Sequence, residues 1–209
     1  MKGTVTAREA IQHTAACDII PANTILAGIE QELHSVGKEM TLREKLRDEE
    51  SGVADDYDYI LIDCPPSLGL LTVNALTAAD YLLIPTMAET FAPSGITQLY
   101  DTYRSVKKYT NPALEIDGVL LTRTERTRVT KTIQELTGKI AEYMGADVYR
   151  RTIRSNVIIK EAQAAQENVF DYIESKAQTK GERVSEASRN FVNDCLNFVK
   201  EFVEKEREQ

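Results

Sequence analysis

The sequence has no run of about 18 or more apolar residues, so no segment reads as a membrane span. Met1 to Ala10 lack the apolar stretch of a secretory leader. Cysteine is scarce. Cys17, Cys64 and Cys195 are odd in number and far apart, which excludes a disulfide framework and C-x-x-C metal spacing. They read as free thiols of a reducing compartment. Basic charge is also short: 25 Lys and Arg stand against 33 Asp and Glu, a net of −8, which argues against a generic nucleic-acid binder. Internal repeats and low-complexity tracts are absent, and the two histidines, His13 and His34, are isolated and read as helix-surface residues.

What is present is an ordinary globular composition, 42% hydrophobic and 28% charged over 209 residues, enough for one domain with a core. The charge is uneven. Residues 117–160 hold nine Lys and Arg against five Asp and Glu, a net of +4, while the other residues hold 16 against 28, a net of −12. Such a basic middle can mark a surface for an anionic ligand or a clustering on a solvated face, and charge alone favours the second.

Two hydrophobic periods alternate along the chain. Residues 5–16 read as a short helix, 18–21 as an extended piece and 25–47 as a long helix, with Ile25, Leu26, Ile29, Leu33, Val36 and Met40 near helical spacing. Tyr59-Ile60-Leu61-Ile62 is an apolar run stopped by Asp63 and Pro65-Pro66, the pattern of a strand buried on both faces. Further strands are expected at 81–84, 118–122 and 148–149. Helices are expected at 68–79, 94–109, 127–143, 155–166 and about 184–204, with a polar linker at 174–183. Strands alternating with helices predict an α/β fold with a mostly parallel sheet covered on both faces.

Asp63 would then sit at the carboxyl end of a strand, where open parallel sheets bind ligands. An apolar strand ending in Asp is also the Mg²⁺-holding element of P-loop nucleotidases, although many strands end this way with only a cap or loop role. The stretch from Asp58 to Gly69 resembles the Walker B segment of the ParA/MinD deviant Walker A ATPases, which partition plasmids and chromosomes. Asn74-Ala75-Leu76 with Ala79-Asp80, and Ile84-Pro85-Thr86 with Glu89-Thr90-Phe91-Ala92, Gly95 and Gln98-Leu99, are similar to the family's following motifs. So are Asp18 to Asn23 with Leu26-Ala27 upstream, and Gly118 to Thr122, Ile153-Arg154 and Glu161-Ala162 downstream. The likeness covers about residues 4–173 and is nearest to ParA/Soj-type partition proteins.

One departure is large. The family's phosphate loop, K-G-G-x-G-K-[ST], is not in the sequence. Its only Gly-Lys pairs, Gly37-Lys38 and Gly138-Lys139, lack both the following Ser or Thr and the upstream glycines. The chain reads as a single ParA-like domain over 1–209, a three-layer P-loop-type fold without its first strands and P-loop. In the resembling family the P-loop strand lies between the strands at 59–62 and 81–84, so either these two strands close up, another segment fills the slot, or two chains pair there, and a homodimer or higher oligomer is the outcome favoured. A second departure is C-terminal: Gln166 stands where the family has Gly, and Asp171 to Gly181 contain no proline.

The resemblance implies ATP and Mg²⁺ as the family's ligands, with Asp63 as the metal residue and Pro65, Thr122, Arg123 and Arg154 near the nucleotide. Without the phosphate loop this chain is expected to bind neither and to have no catalytic residue. Two basic clusters are candidates for DNA phosphate contacts: Arg123, Arg126, Arg128 and Lys131, and Arg150, Arg151, Arg154 and Lys160. The implied partners are non-specific DNA and a ParB-like centromere-binding protein, at a cytoplasmic, nucleoid-associated location. The alternative reading is a non-catalytic DNA- or ParB-binding module. A membrane role for the last helix is disfavoured, since residues 184–209 carry four Lys and Arg against six Asp and Glu.

Overall fold

The structure is a computed structural model describing residues 5–29, 36–87, 92–125, 128–179 and 184–208, without the side chains of 27, 92–94, 128–130 and 208. Of the sequence expectations, Leu33, His34, Glu89-Thr90-Phe91 and Arg126 lie outside the described residues. The chain divides into two compact units, Met1–Leu82 with Gln98–Glu115, and Leu83–Thr97 with Ile116–Gln209.

The first unit opens with a short helix α1, Ala7–Ala10. Thr6 and Glu9 form a reciprocal cap: the Thr6 hydroxyl accepts from the Glu9 amide at 3.2 Å, and Glu9 Oε2 accepts from the Thr6 amide at 2.9 Å. A hairpin of β1, Gln12–His13, and β2, Asp18–Ile19, pairs Gln12 with Ile19 and His13 with Asp18. The expected 25–47 helix is broken among the described residues into a 3₁₀ turn at Thr24–Gly28, another at Lys38–Met40 and a helix α2, Thr41–Leu46. Gly37 precedes the second turn at φ +79°, a left-handed backbone that ends regular helix. Helix α3, Leu70–Ala78, follows.

Ala7, Leu46, Val53 and Ala78 form the core of this unit, with Ile11, Leu42, Tyr57 and Ile62 against it. The tight turn at 48–52 depends on Gly52, since a Cβ there would lie 2.7 Å from the Asp48 nitrogen and 2.7 Å from the Leu46 carbonyl oxygen. Asn74 is fully buried and ties α3 to the segment before α2. Its Nδ2 donates to the Lys38 and Leu70 carbonyls, each at 3.0 Å, and its Oδ1 accepts from the Leu42 amide at 3.0 Å.

Strand β3, Tyr81–Met87, helix α4, Ala92–Tyr109, and strand β4, Glu115–Thr122, each contribute residues to both units. β3 and β4 are hydrogen-bonded neighbours. The Glu115 amide donates to the Asp80 carbonyl at 3.0 Å, and the Thr122 hydroxyl to the Thr86 carbonyl at 3.2 Å. The same ends therefore adjoin and the strands run parallel. A further parallel bridge joins Val119 to Val148, the position of the expected fourth strand.

The second unit carries helices α5, Arg128–Met144, α6, Ile158–Ala165, α7, Val169–Gln178, and α8, Glu186–Glu208. Helix α7 takes the place of part of the expected linker. Asn168 caps it, its side chain accepting from the Phe170 amide at 3.0 Å and the Asp171 amide at 2.9 Å. The alternation of strands and helices is the α/β class the sequence indicates, with the β3–β4 pair parallel.

The expected strand at 59–62 also fails. Residues 59–66 belong to neither strand nor helix. Ile60 is 41% and Leu61 88% exposed, where a strand buried on both faces was expected. The apolar run describes a segment suited to a sheet interior, but no strand among the described residues flanks it.

Candidate functional site

In the second unit the end of β4 and the loop at 150–155 lie side by side, which brings Arg123 near the Arg150–Arg154 segment. At the end of β4 the chain turns through Thr122, Arg123 and Thr124, with Arg123 at φ 49°. The loop at 150–155 runs beside this end. Ile153 donates its amide to the Leu121 carbonyl at 2.9 Å, Thr124 donates to the Ile153 carbonyl at 3.1 Å, and Ser155 donates to the Thr124 carbonyl at 3.2 Å. Thr124 and Arg154 form a parallel bridge. Arg123, Arg150 and Arg151 are exposed there, and the Arg123 guanidinium lies 3.1 Å from the Met87 sulfur. Lys131 on α5 and Lys160 on α6 are exposed as well. Arg128 begins α5, and Arg126 is outside the described residues.

Arg154 is the exception within the cluster. Its Nε and Nη2 donate to the two oxygens of Asp194 on α8, at 2.5 and 2.9 Å, and its amide donates to Asp194 Oδ2 at 3.3 Å. Hydrogen bonding to this carboxylate pushes the Arg154 guanidinium still further above its ordinary value. Four residues earlier, the Arg150 and Arg151 amides donate to the two oxygens of Glu201, each at 2.9 Å. Asp194 and Glu201 were not singled out from the sequence. Their spacing of seven on an amphipathic helix, which places both on one face, was the available signal.

Beneath the loop lies a buried polar group. Asp117 is 3% and Tyr149 5% exposed, and the Tyr149 hydroxyl donates to the Asp117 carboxylate. Lys205 on α8 donates to the Asp117 carbonyl, with its ammonium 3.5 Å from Asp117 Oδ1 and 3.8 Å from Asp147 Oδ2. Gly118 makes room, since a Cβ there would come within 2.9 Å of the Tyr149 ring. Phe198 meets the same ring edge-on at 5.0 Å. The face of α8 that packs therefore includes Phe191 and Phe198, while Val199 is 51% exposed.

The first unit holds Asp63 and Pro65, both exposed and outside any strand. Among the described residues there is no group of three or more His, Cys, Asp and Glu that could hold a metal ion.

Comparison with known proteins decides the family. The model of the AAA domain family matches residues 1–116. Soj, the sporulation initiation inhibitor protein of Bacillus subtilis, is 44% identical over 146 residues, covering 69% of this chain and 55% of Soj. The chromosome partitioning protein ParA of Caulobacter vibrioides is 40% identical over 157 residues, covering 74% of this chain and 57% of ParA. The chain belongs to the ParA/Soj family. It spans about half the length of the curated relatives it matches, 55% and 57% for these two.

Solved structures agree on the fold. Cobyrinic acid a,c-diamide synthase of Mycobacterium smegmatis, crystallised with an ATP analogue and magnesium, superposes with a TM-score of 0.65 at 34% identity, covering 74% of this chain and 60% of that one. A plasmid partition protein of Borrelia burgdorferi bound to AMPPNP reaches 0.66 at 23% identity, covering 94% of this chain and 70% of its own, which bears on the fold alone.

ATP and magnesium are thus ligands of this ParA/Soj chain's structural relatives, and the residues present do not fit them by themselves. The 209 residues contain no K-G-G-x-G-K-[ST] motif, and Asp63 lies exposed on an irregular segment with no metal-holding group among the described residues. Mg²⁺ dehydrates reluctantly and is normally shared with substrate phosphates, so one such carboxylate is a weak ligand.

Proposed function

We propose that this chain acts in chromosome or plasmid segregation, as its ParA relative does by name, and that its part is sequence-independent contact with DNA. The observation that carries the reading is the junction of the β4 end with the 150–155 loop. It places Arg123, Arg150 and Arg151 on one exposed surface of an otherwise acidic chain. Such a surface suits phosphates, which are read by charge without regard to base sequence. Lys131 and Lys160 are further exposed cations of the same unit. In the parental proteins DNA binding goes with ATP hydrolysis and dimerisation, and a ParB-like protein is the partner. For the residues of this chain the reading assigns binding and no chemical step.

The test is charge reversal at residues whose side chains carry no fold contact. Arg150→Glu and Arg151→Glu with Lys160→Glu should abolish binding to a duplex oligonucleotide in an anisotropy titration, while thermal unfolding stays unchanged. Arg154 is left intact, since its pair with Asp194 holds α8. Undiminished binding by the triple variant would move the DNA surface elsewhere.

Within the alternative, a non-catalytic module that binds DNA or a ParB-like protein, the ParB-binding form predicts no duplex binding by the unsubstituted chain.

A further inference from the structure

The loop at 150–154 presents its polar hydrogens in a particular way. Two consecutive amides, those of Arg150 and Arg151, point at one carboxylate, with one oxygen for each at 2.9 Å. The Arg154 guanidinium and amide supply three more donors to a second carboxylate. Five donors within five residues thus converge on two anionic groups. Adjacent amides and an arginine fork are the donors that hold phosphate oxygens. Both carboxylates come from α8, seven residues apart, so one helix face fills the whole array.

Helix α8 has other anchors. Phe191 is 4% exposed, Phe198 packs on Tyr149, and Lys205 reaches Asp117 and Asp147. The carboxylates at 194 and 201 are therefore not the sole means of docking the helix. They place two negative charges where a phosphate would otherwise sit, beside the exposed Arg150 and Arg151 side chains.

We propose that residues 150–154 form a phosphate-binding loop that helix α8 keeps closed with the carboxylates of Asp194 and Glu201. The ligand is a phosphate-bearing anion, and the loop opens when that anion displaces the two side chains. This rests on the reading of the 150–155 region as a DNA surface and adds its regulation. A carboxylate and a phosphate cannot share the same donors, so binding and helix docking compete.

The experiment compares the full chain with the double variant Asp194→Asn, Glu201→Gln, which keeps side-chain shape and removes both charges. Two probes separate the sources of phosphate: a duplex oligonucleotide and ATP. The expected result is about tenfold tighter binding of at least one probe by the variant, the weight of one arginine–phosphate contact. For DNA, the slope of log affinity against log salt should steepen by about 1 as Arg154 becomes available. Unchanged affinity for both probes overturns the inference while leaving the DNA surface standing, if the unsubstituted chain binds DNA. Failure of both proteins to bind either probe overturns both readings. Should the variant not unfold cooperatively, hydrogen exchange of the unsubstituted protein decides. Saturating probe should speed exchange between Asp194 and Glu208, and unchanged exchange with probe bound contradicts the closed loop.

Discussion

Asn74 shows how a single residue can be legible in the sequence for one reason and matter for another. The resemblance marks Asn74-Ala75-Leu76 as part of a family motif, and the structure gives the asparagine a packing role. It is fully buried with three hydrogen bonds that tie α3 to the Lys38 and Leu42 backbone. Replacing it with Ala leaves the Leu42 amide without its side-chain acceptor, while the Lys38 carbonyl keeps the Thr41 hydroxyl. An unsatisfied buried donor costs roughly 1–3 kcal/mol, so Asn74→Ala should lower stability by about 2 kcal/mol. That is a large share of a typical total of about 5–15 kcal/mol. Urea denaturation followed by circular dichroism checks it, and a loss below about 1 kcal/mol would mean that water replaces the side chain. At this scale the basic residues were legible from composition. The acids that engage them were not, because a carboxylate on a polar helix face looks the same whether it meets solvent or an arginine.

The elements were legible where local pattern and tertiary surroundings agree. Strands β3 and β4 and helices α3, α4, α5 and α8 fall within a few residues of expectation, since apolar residues mark each, although β3 continues through Pro85 to Met87. The long 25–47 helix did not hold among the described residues, because Gly28 and Gly37 interrupt a run whose apolar spacing alone looked continuous. Helix α7 was read as linker because its composition is polar, although Asn168 carries a usable cap signal.

Among the elements, the docking of α8 on β4 can be tested by pH. Burial, and next the hydrogen bond to Asp117, push the Tyr149 hydroxyl well above its ordinary value. An unfolded tyrosine ionises near about pH 10 while the folded Tyr149 keeps its proton. The unfolded state therefore releases the proton first. The stability held in neutral Tyr149 is complete below about pH 10 and is lost as pH rises above it. Denaturation at about pH 8 and about pH 11 should show a smaller loss for Tyr149→Phe than for the unsubstituted chain. Equal losses would show that the phenol does not govern this range.

At the scale of the whole molecule, the segment at 59–62 sets the behaviour in solution. Its composition suits a sheet interior, but Ile60 and Leu61 are exposed at 41% and 88%. An apolar extended segment outside a sheet favours association through its backbone and side chains. We expect a second copy of the chain to cover it, giving a dimer or higher oligomer. Light scattering on dilute protein should then report a mass above 23.4 kDa, whereas a clean monomer with cooperative unfolding would show that the segment is stable as it stands.

The central claim is that this ParA/Soj chain binds DNA through backbone phosphates by residues it carries itself, without a nucleotide. Titration of two duplexes of equal length and unrelated sequence across a salt series, with and without ATP and Mg²⁺, tests it most directly. The account predicts equal affinities for both duplexes, a linear fall of log affinity with log salt at about −0.9 per phosphate contact, and binding that does not require ATP. Binding that appears only with ATP, or that distinguishes the two sequences, would contradict it.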